Sequence, residues 1–344
     1  MATAKRAFPR LFELGMIGQM EIRNRIVMPP IVTNTGTREG FVTQRTRDHY
    51  EVRAKGGVGL IIVEATHIDF PRGRGFIYQL AIDDDKDMPG LRGLAESIKR
   101  HGARAAIQIV HSGAATKSSL TGVQPVAPSP IPVKGFEMPR ELTTSDIGDL
   151  VRQFGEAAGR AERAGFEGVE IHAAHYFLIA RFLSPACNQR QDSYGGNTEK
   201  RARFLQETIQ AMKSAVGRNY PVWCRINGQE YGVEDALSHE EAKRIACLAE
   251  EAGADAIHVS SWDHVNISYE TMGKRIPPAE VPLGFMAHLA EGIKKVVKVP
   301  VIAVGRITPE VGEELLREGK ADLIAIGRGL IADPELPNKA AQSF

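Results

Sequence analysis

The segment "VPVIAVGRITPEVGEELLREGKADLIAIGRG", residues 299–329, reads as strand, helix, strand. Its ends, 299–307 and 321–329, are nearly unbroken runs of Val, Ile, Leu and Ala. Strands covered on both faces look like this, whereas strands with one wet face alternate. Between them Thr308 stands ahead of Pro309, an N-cap followed by a first-turn proline, and opens "TPEVGEELLREGK" as a helix. A strand, a helix and a second buried strand in so short a span make a βαβ unit, whose strands run parallel.

The same grammar repeats upstream. Apolar runs occur at 24–32, 59–68, 103–111, 168–174, 221–227 and 256–261, which with the two above makes eight. The stretch "TTSDIGDLVRQFGEAAGRAERAG" opens on Thr and Ser cap candidates and stops at Gly165. "SHEEAKRIACLAEEAG" has Ser238 as cap, Glu240 and Glu241 in its first turn and Gly253 as stop. Eight buried strands, each followed by a helix and with no Pro/Ser-rich linker, predict an α/β protein of the (β/α)8 TIM-barrel type, a single domain over 1–344. The alternative, a two-domain doubly wound protein, is weakened because no G-x-G-x-x-G follows the first strand; "GGVG" at 56–59 precedes a strand and lacks the spacing. The Pro-, Ser- and Gly-rich stretch 112–142 reads as an elaborated loop after the third strand.

Composition narrows the function classes. The chain has 344 residues, 43% hydrophobic and 25% charged, ample for a full core, and one barrel of this kind routinely exceeds 200 residues. A net charge of +1 gives no electrostatic footprint for nucleic acid or an anionic membrane. There is no apolar stretch of about 18 residues to span a bilayer, and the first residues carry no apolar signal region. Cys187, Cys224 and Cys247 are too few and scattered for a disulfide framework or zinc motif, so a reduced cytoplasmic setting is expected, with the thiols as packing residues. A small-molecule ligand is the expected partner; homo-oligomerisation stays open.

In such barrels the working residues lie at the C-terminal ends of the strands and in the loops beyond. The polar residues there are Glu64, Thr66 and His67; Gln108 and His111; His172 and His175; Arg225 and Asn227; and Ser260, Ser261, Trp262, Asp263 and His264. Strands seven and eight end on matched pairs, Gly305-Arg306 and Gly327-Arg328. Phosphate sites in these barrels are often built from those two loops. Glycine lets backbone N–H groups approach phosphate oxygens, and arginine offers a bidentate fork. The competing reading is that the arginines pair with carboxylates across the rim. For His172 and His175 three roles are open. A metal site needs a third ligand such as His111 or His264, and no signature supplies it. Both residues could instead be buried structural histidines. The favoured role is a pair of neutral N–H donors converging on a substrate oxygen that gains negative charge.

The motifs "NRIVMPP", "GGVGLIIVEATHI", "IQIVHSG", "HAAHYFLIARFLSPACNQRQDSYGG", "EKRARF", "AVGRI" and "ADLIAIGRGLIADP" span essentially the whole chain. In them the sequence resembles the old yellow enzyme family of flavin-dependent ene-reductases, closest to the branch of 2,4-dienoyl-CoA reductase, enoate reductases and trimethylamine dehydrogenase. The resemblance implies FMN at the barrel mouth. Its ring would contact Pro29, Pro30, Ile31, Val32 and Ala65, with the side chain of Gln108. Arg225 would lie at the N1/C2 edge, and the phosphate on Gly305, Arg306, Gly327 and Arg328. Val32 stands where covalent members carry cysteine, so the FMN is expected to be non-covalent.

The implied reaction is transfer from NADH or NADPH through the flavin to an activated C=C bond of an enoate, enone or enoyl thioester, with His172 and His175 holding the carbonyl oxygen. One departure matters. The family's proton-donating tyrosine position is Phe177, preceded by Tyr176, and adjacent side chains are expected to diverge. The donor is then a relocated Tyr176, His264 or Tyr269, or water; Tyr176 as a mere pocket wall is the competing reading. Larger relatives continue past this point into an iron–sulfur cysteine cluster and an FAD- and NAD(P)-binding region. The expectation is therefore either a single-barrel member or the barrel portion of a longer enzyme, which alone would bring in a 4Fe-4S centre and FAD. The alternatives kept are a flavin-dependent amine or alcohol dehydrogenase, a flavin-binding barrel inactive without that electron-entry region, and, as an outsider, a metal-dependent barrel hydrolase.

Overall fold

The computed structural model describes residues 7–264 and 282–342. The eight apolar runs form parallel strands β1 (Ile26–Met28), β2 (Leu60–His67), β3 (Arg104–Val110), β4 (Gly168–Ala173), β5 (Val222–Tyr231), β6 (Ile257–Asp263), β7 (Val301–Val304) and β8 (Leu323–Ala325). They pair in chain order and close into a barrel, β8 returning to β1 with Ile324 opposite Ile26 and Ala325 opposite Val27. Helices follow the strands in turn: α1 (Gln44–Lys55), α2 (Met88–Lys99), α3 (Thr144–Arg163), α4 (Thr198–Val216), α5 (His239–Glu251), α6 (Ala287–Lys294), α7 (Pro309–Arg317) and α8 (Leu336–Gln342). This is the expected (β/α)8 barrel, and its closure rules out the open doubly wound sheet.

Local chemistry explains the helix boundaries. Thr143 caps α3 by accepting from the Asp146 N–H, and the Asp146 carboxylate reaches back to the cap; Ser238 and Glu241 do the same for α5. Thr308 caps α7, with Pro309 in its first turn. Gly165 and Gly253, at φ +89° and +105°, turn the chain out of α3 and α5 as only glycine does freely.

Strand parity then sorts the core. One large apolar cluster joins outward residues such as Ile61, Ile107, Ile171, Cys224 and Ile257 to the helices. A second holds the inward Val27, Leu60, Ile62, Ala106, Trp223, Ile302 and Leu323 together with Ile17, Met20 and Ile22. The last three belong to a short antiparallel hairpin, Gly15–Ile17 with Met20–Ile22, that plugs the barrel floor. Sequence reading gave no hint of it, since three-residue strands carry no periodicity. Stretch 112–142 is the loop foreseen, but it contains a helical turn, Ser118–Thr121, and a parallel bridge between Val126–Ala127 and Arg140–Glu141. Register shifts interrupt the β2–β3 pairing between Val63 and Thr66, and the β5–β6 pairing between Ser260 and Trp262. Both lie near the C-terminal rim, where such irregularities re-aim side chains. Among the described residues no helix is long and apolar enough to cross a membrane. Tyr269 and most of the loop after β6 lie outside the described residues.

Candidate active site

Inward positions of β3 to β6 carry a polar group that an apolar strand reading does not announce. Glu170 is fully buried and accepts three hydrogen bonds: from Gln108 Nε2, Trp223 Nε1 and His258 Nδ1, each at 2.7 Å. Burial by itself pushes this carboxyl up, but the charge and hydrogen bond of His258, with Arg225 and Trp223, outweigh it and hold it below the usual range. Glu170 therefore stays ionised. Its bond to Gln108 spends an amide N–H and orients that amide.

Above this layer stand the histidines. His172 is 4% exposed, and its Nδ1 accepts from the Ala174 N–H at 3.3 Å, which leaves Nε2 to carry the proton. Burial, reinforced by His175, Arg225 and His258, holds its pKa well below the ordinary value, so the ring is neutral. The two imidazoles are 5.0 Å apart, nearly edge to face at 76°. His175 has φ +61°, an unusual conformation for a non-glycine residue. Asn227 secures it from both sides, accepting from the His175 N–H at 2.7 Å and donating to its carbonyl at 3.0 Å. His175 Nε2 lies 2.9 Å from Ser260 Oγ, which also accepts from Arg225 Nη2 at 3.2 Å.

Beside Arg225 opens a cavity of about 370 Å³. Of the residues expected to hold FMN, it brings together Pro29, Pro30, Ile31, Arg225, Gly305, Arg306, Gly327 and Arg328, with Thr308 and Gly329 also on its wall. Closure of β8 on β1 is what unites the two ends of the chain. A Cβ at Gly327 would stand 3.3 Å from Ile31 and 3.4 Å from Pro29, and one at Gly305 (φ +122°) would strike Met286 at 2.6 Å. Arg225 is 8% exposed, with a buried Nε that has no partner. An unpartnered guanidinium N–H beside a cavity rimmed by two Gly-Arg pairs fits an anionic, carbonyl-bearing ligand such as FMN. Val32, Ala65 and Gln108 do not line this cavity. Ala65 belongs to the apolar cluster of Tyr176, Phe177 and Trp262, and Val32 packs against it.

That cluster corrects one expectation. Tyr176 and Phe177 do not diverge: their rings are 4.7 Å apart and tilted by only 32°. They sit in a turn between β4 and the short helix Leu178–Leu183, where strand alternation does not apply. Phe177 packs 4.5 Å from His172, while Tyr176 packs 4.4 Å from Trp262.

Several other candidates have structural partners. His111 bonds Asp69 and the Gly113 N–H, His67 stacks on Phe70, and Ser261 reaches Met286. Glu64 accepts from the Thr33 N–H at 2.7 Å and the Thr33 hydroxyl at 2.5 Å, directly after the Pro29–Val32 segment. Burial pushes its pKa up to about 7 despite those bonds. His264 lies 2.9 Å from Glu230, a buried acid that sequence reading passed over, as it did Glu170, Trp223 and His258. The available signal for Glu170 was a lone acid inside the buried run "GVEIHAA". Among the described residues no three His, Cys, Asp or Glu side chains gather as metal ligands.

A sequence model of the NADH:flavin oxidoreductase / NADH oxidase family matches residues 10–344. The chain is 48% identical over 338 residues to the NADH oxidase of Thermoanaerobacter brockii, covering 97% of this chain and 51% of that protein. It is 38% identical over 329 residues to the NADPH dehydrogenase of Clostridium acetobutylicum, covering 94% of this chain and 92% of that protein. The solved old yellow enzyme homologue from Zymomonas mobilis matches with a TM-score of 0.81 at 28% identity, over 96% of this chain and 92% of that one. The chain thus spans about half the length of the NADH oxidase and most of the length of the NADPH dehydrogenase.

Proposed function

Since the chain belongs to the NADH:flavin oxidoreductase / NADH oxidase family, the family of old yellow enzyme, we propose that it passes electrons from NADH or NADPH to the C=C bond of an α,β-unsaturated carbonyl compound. The Gly305-Arg306 and Gly327-Arg328 pairs would hold FMN at its phosphate, and Pro29–Ile31 and Arg225 at its ring, where it would supply two-electron exchange between nicotinamide and alkene.

The observation that carries the reading is the neutral imidazole of His172 beside His175, next to the cavity that fits the cofactor. His172 directs Nε2–H outward because Nδ1 is occupied by the Ala174 amide. As negative charge builds on the substrate carbonyl oxygen, two preorganised N–H donors stabilise it more than they stabilise the uncharged ground state. A donor that stays neutral does this without surrendering its proton. Asn227 and Ser260 position His175 for the same task. Arg225, on the wall of that cavity, would set its positive charge against the ring and favour the electron-rich form of the cofactor. Phe177 has no proton to give, so Tyr176 is assigned as the acid that protonates Cα. It is 5% exposed and packed between Phe177 and Trp262 beside the pair.

The test is anaerobic stopped-flow of the FMN-loaded, pre-reduced protein against 2-cyclohexenone, an enoate and an enoyl thioester. Flavin reoxidation with stoichiometric saturated product is expected for at least one. Reoxidation by dyes and oxygen alone would refute the reading.

A further inference from the structure

A second cavity, of about 350 Å³, shares Tyr176 with the histidine site and is lined also by Val133, Arg181, Cys187 and His264. Arg181 comes from the short helix Leu178–Leu183 and is 3% exposed. Its Nη2 donates to the Ile131 carbonyl, but its Nε is buried with no partner, and among the described residues no carboxylate ion-pairs with it. Burying a cation without a counter-charge is costly.

Two other buried arginines meet that cost with carboxylates. Arg190, equally buried, binds Asp192 and Glu141, and Arg201 binds Glu241. Arg74 has the Phe70 ring 5.5 Å below its guanidinium. Arg225 also has a buried, unpartnered Nε, and it lines the cavity that fits FMN. The buried acid near Arg181, Glu230, is already spent on Ser184 Oγ, Asn227 Nδ2 and His264 Nε2. Glu234 and Asp235 also line the cavity but are solvent-exposed at its rim.

We propose that Arg181 anchors an anionic subsite, so that the substrate is an unsaturated carbonyl compound carrying a carboxylate remote from the conjugated carbonyl. The carboxylate pairs with the Arg181 guanidinium while the carbonyl oxygen is held at His172 and His175. The inference rests on the reading of the histidine pair given above. A planar carboxylate matches the guanidinium fork. At about 350 Å³, near the small end of ligand pockets, the cavity takes a short acid chain and not a nucleotide-bearing thioester tail.

Calorimetric titration of the FMN-loaded protein with saturated straight-chain oxo acids of graded length, and with their methyl esters, tests this. At the matching length the acid should bind about tenfold or more tighter than its ester. Arg181→Gln should bring that ratio to about one, and Arg181→Lys should retain part of it. Equal affinity of acid and ester in the wild type at every length overturns the proposal, even if the variants fail to fold. A ratio that survives Arg181→Gln overturns it as well. Reduction of the corresponding unsaturated ester by the wild type reports the histidine reading separately, so affinity and turnover fail independently.

Discussion

A neutral imidazole in a dry site is a strong donor because nothing competes for its N–H and it need not ionise. Removing one such donor typically costs about 2.7–4 kcal/mol of transition-state stabilisation. His172→Ala should therefore lower kcat/KM for enones by roughly 10²–10³-fold while weakening FMN binding far less. Tyr176 allows a sharper distinction. If it protonates Cα, Tyr176→Phe should slow oxidation of the reduced protein by an enone by about 10²–10⁴-fold, and NAD(P)H oxidation much less. Equal slowing of both halves would reduce Tyr176 to a wall. Glu64 makes a prediction about stability. Its pKa is about 7 in the fold against 4.5 ordinarily, so between those values the native state holds a proton that the unfolded chain has lost. Stability from this group thus falls as pH rises through that window, by roughly 3 kcal/mol once above it. Glu64→Gln should gain about that much on the wild type between pH 5 and pH 8, measured by urea unfolding; a constant difference would mean that Glu64 ionises normally.

At the scale of elements, the informative pieces are the turns after β7 and β8. Arg328 begins the short helix Arg328–Ala332 and lines the same cavity as Arg306. Arg328→Ala removes a charge-assisted contact to the expected phosphate, worth about 1.5–3 kcal/mol, or roughly 10–150-fold in FMN dissociation constant. Quenching of FMN fluorescence on titration measures it, and an unchanged constant would move the phosphate elsewhere. The helix caps Thr143, Ser238 and Thr308 were legible in the sequence because capping is written in residue type at fixed spacing, and the two Gly-Arg pairs were legible as matched strand ends. The floor hairpin and the Val126–Ala127 bridge were not. Each is two or three residues long, and its existence depends on the surface it covers.

For the whole molecule, the Glu170 layer ties β3, β4, β5 and β6 through one carboxylate. Replacing it by alanine strands the His258 and Trp223 donors and leaves the charge of Arg225 without its nearest counter-ion. Glu170→Ala should accordingly cost about 3–5 kcal/mol of global stability in urea unfolding. A near-neutral result would show that packing alone, not this network, holds the four strands in register.

Sequence by itself determined the parallel barrel, the family and the identity of the two histidines and two Gly-Arg pairs, because buried-strand runs, caps and glycine-arginine turns are local patterns. Tertiary structure alone decided who meets whom. Barrel closure sets Pro29 and Ile31 against Gly327, strand parity turns Glu170 toward Gln108, Trp223 and His258, and a turn aligns Tyr176 with Phe177. It also left Arg181 buried beside a cavity, with no carboxylate ion-paired to it among the described residues. Apart from the Tyr176–Phe177 turn, such contacts join residues tens to hundreds of positions apart, and they depend on closure and register, which no local pattern encodes.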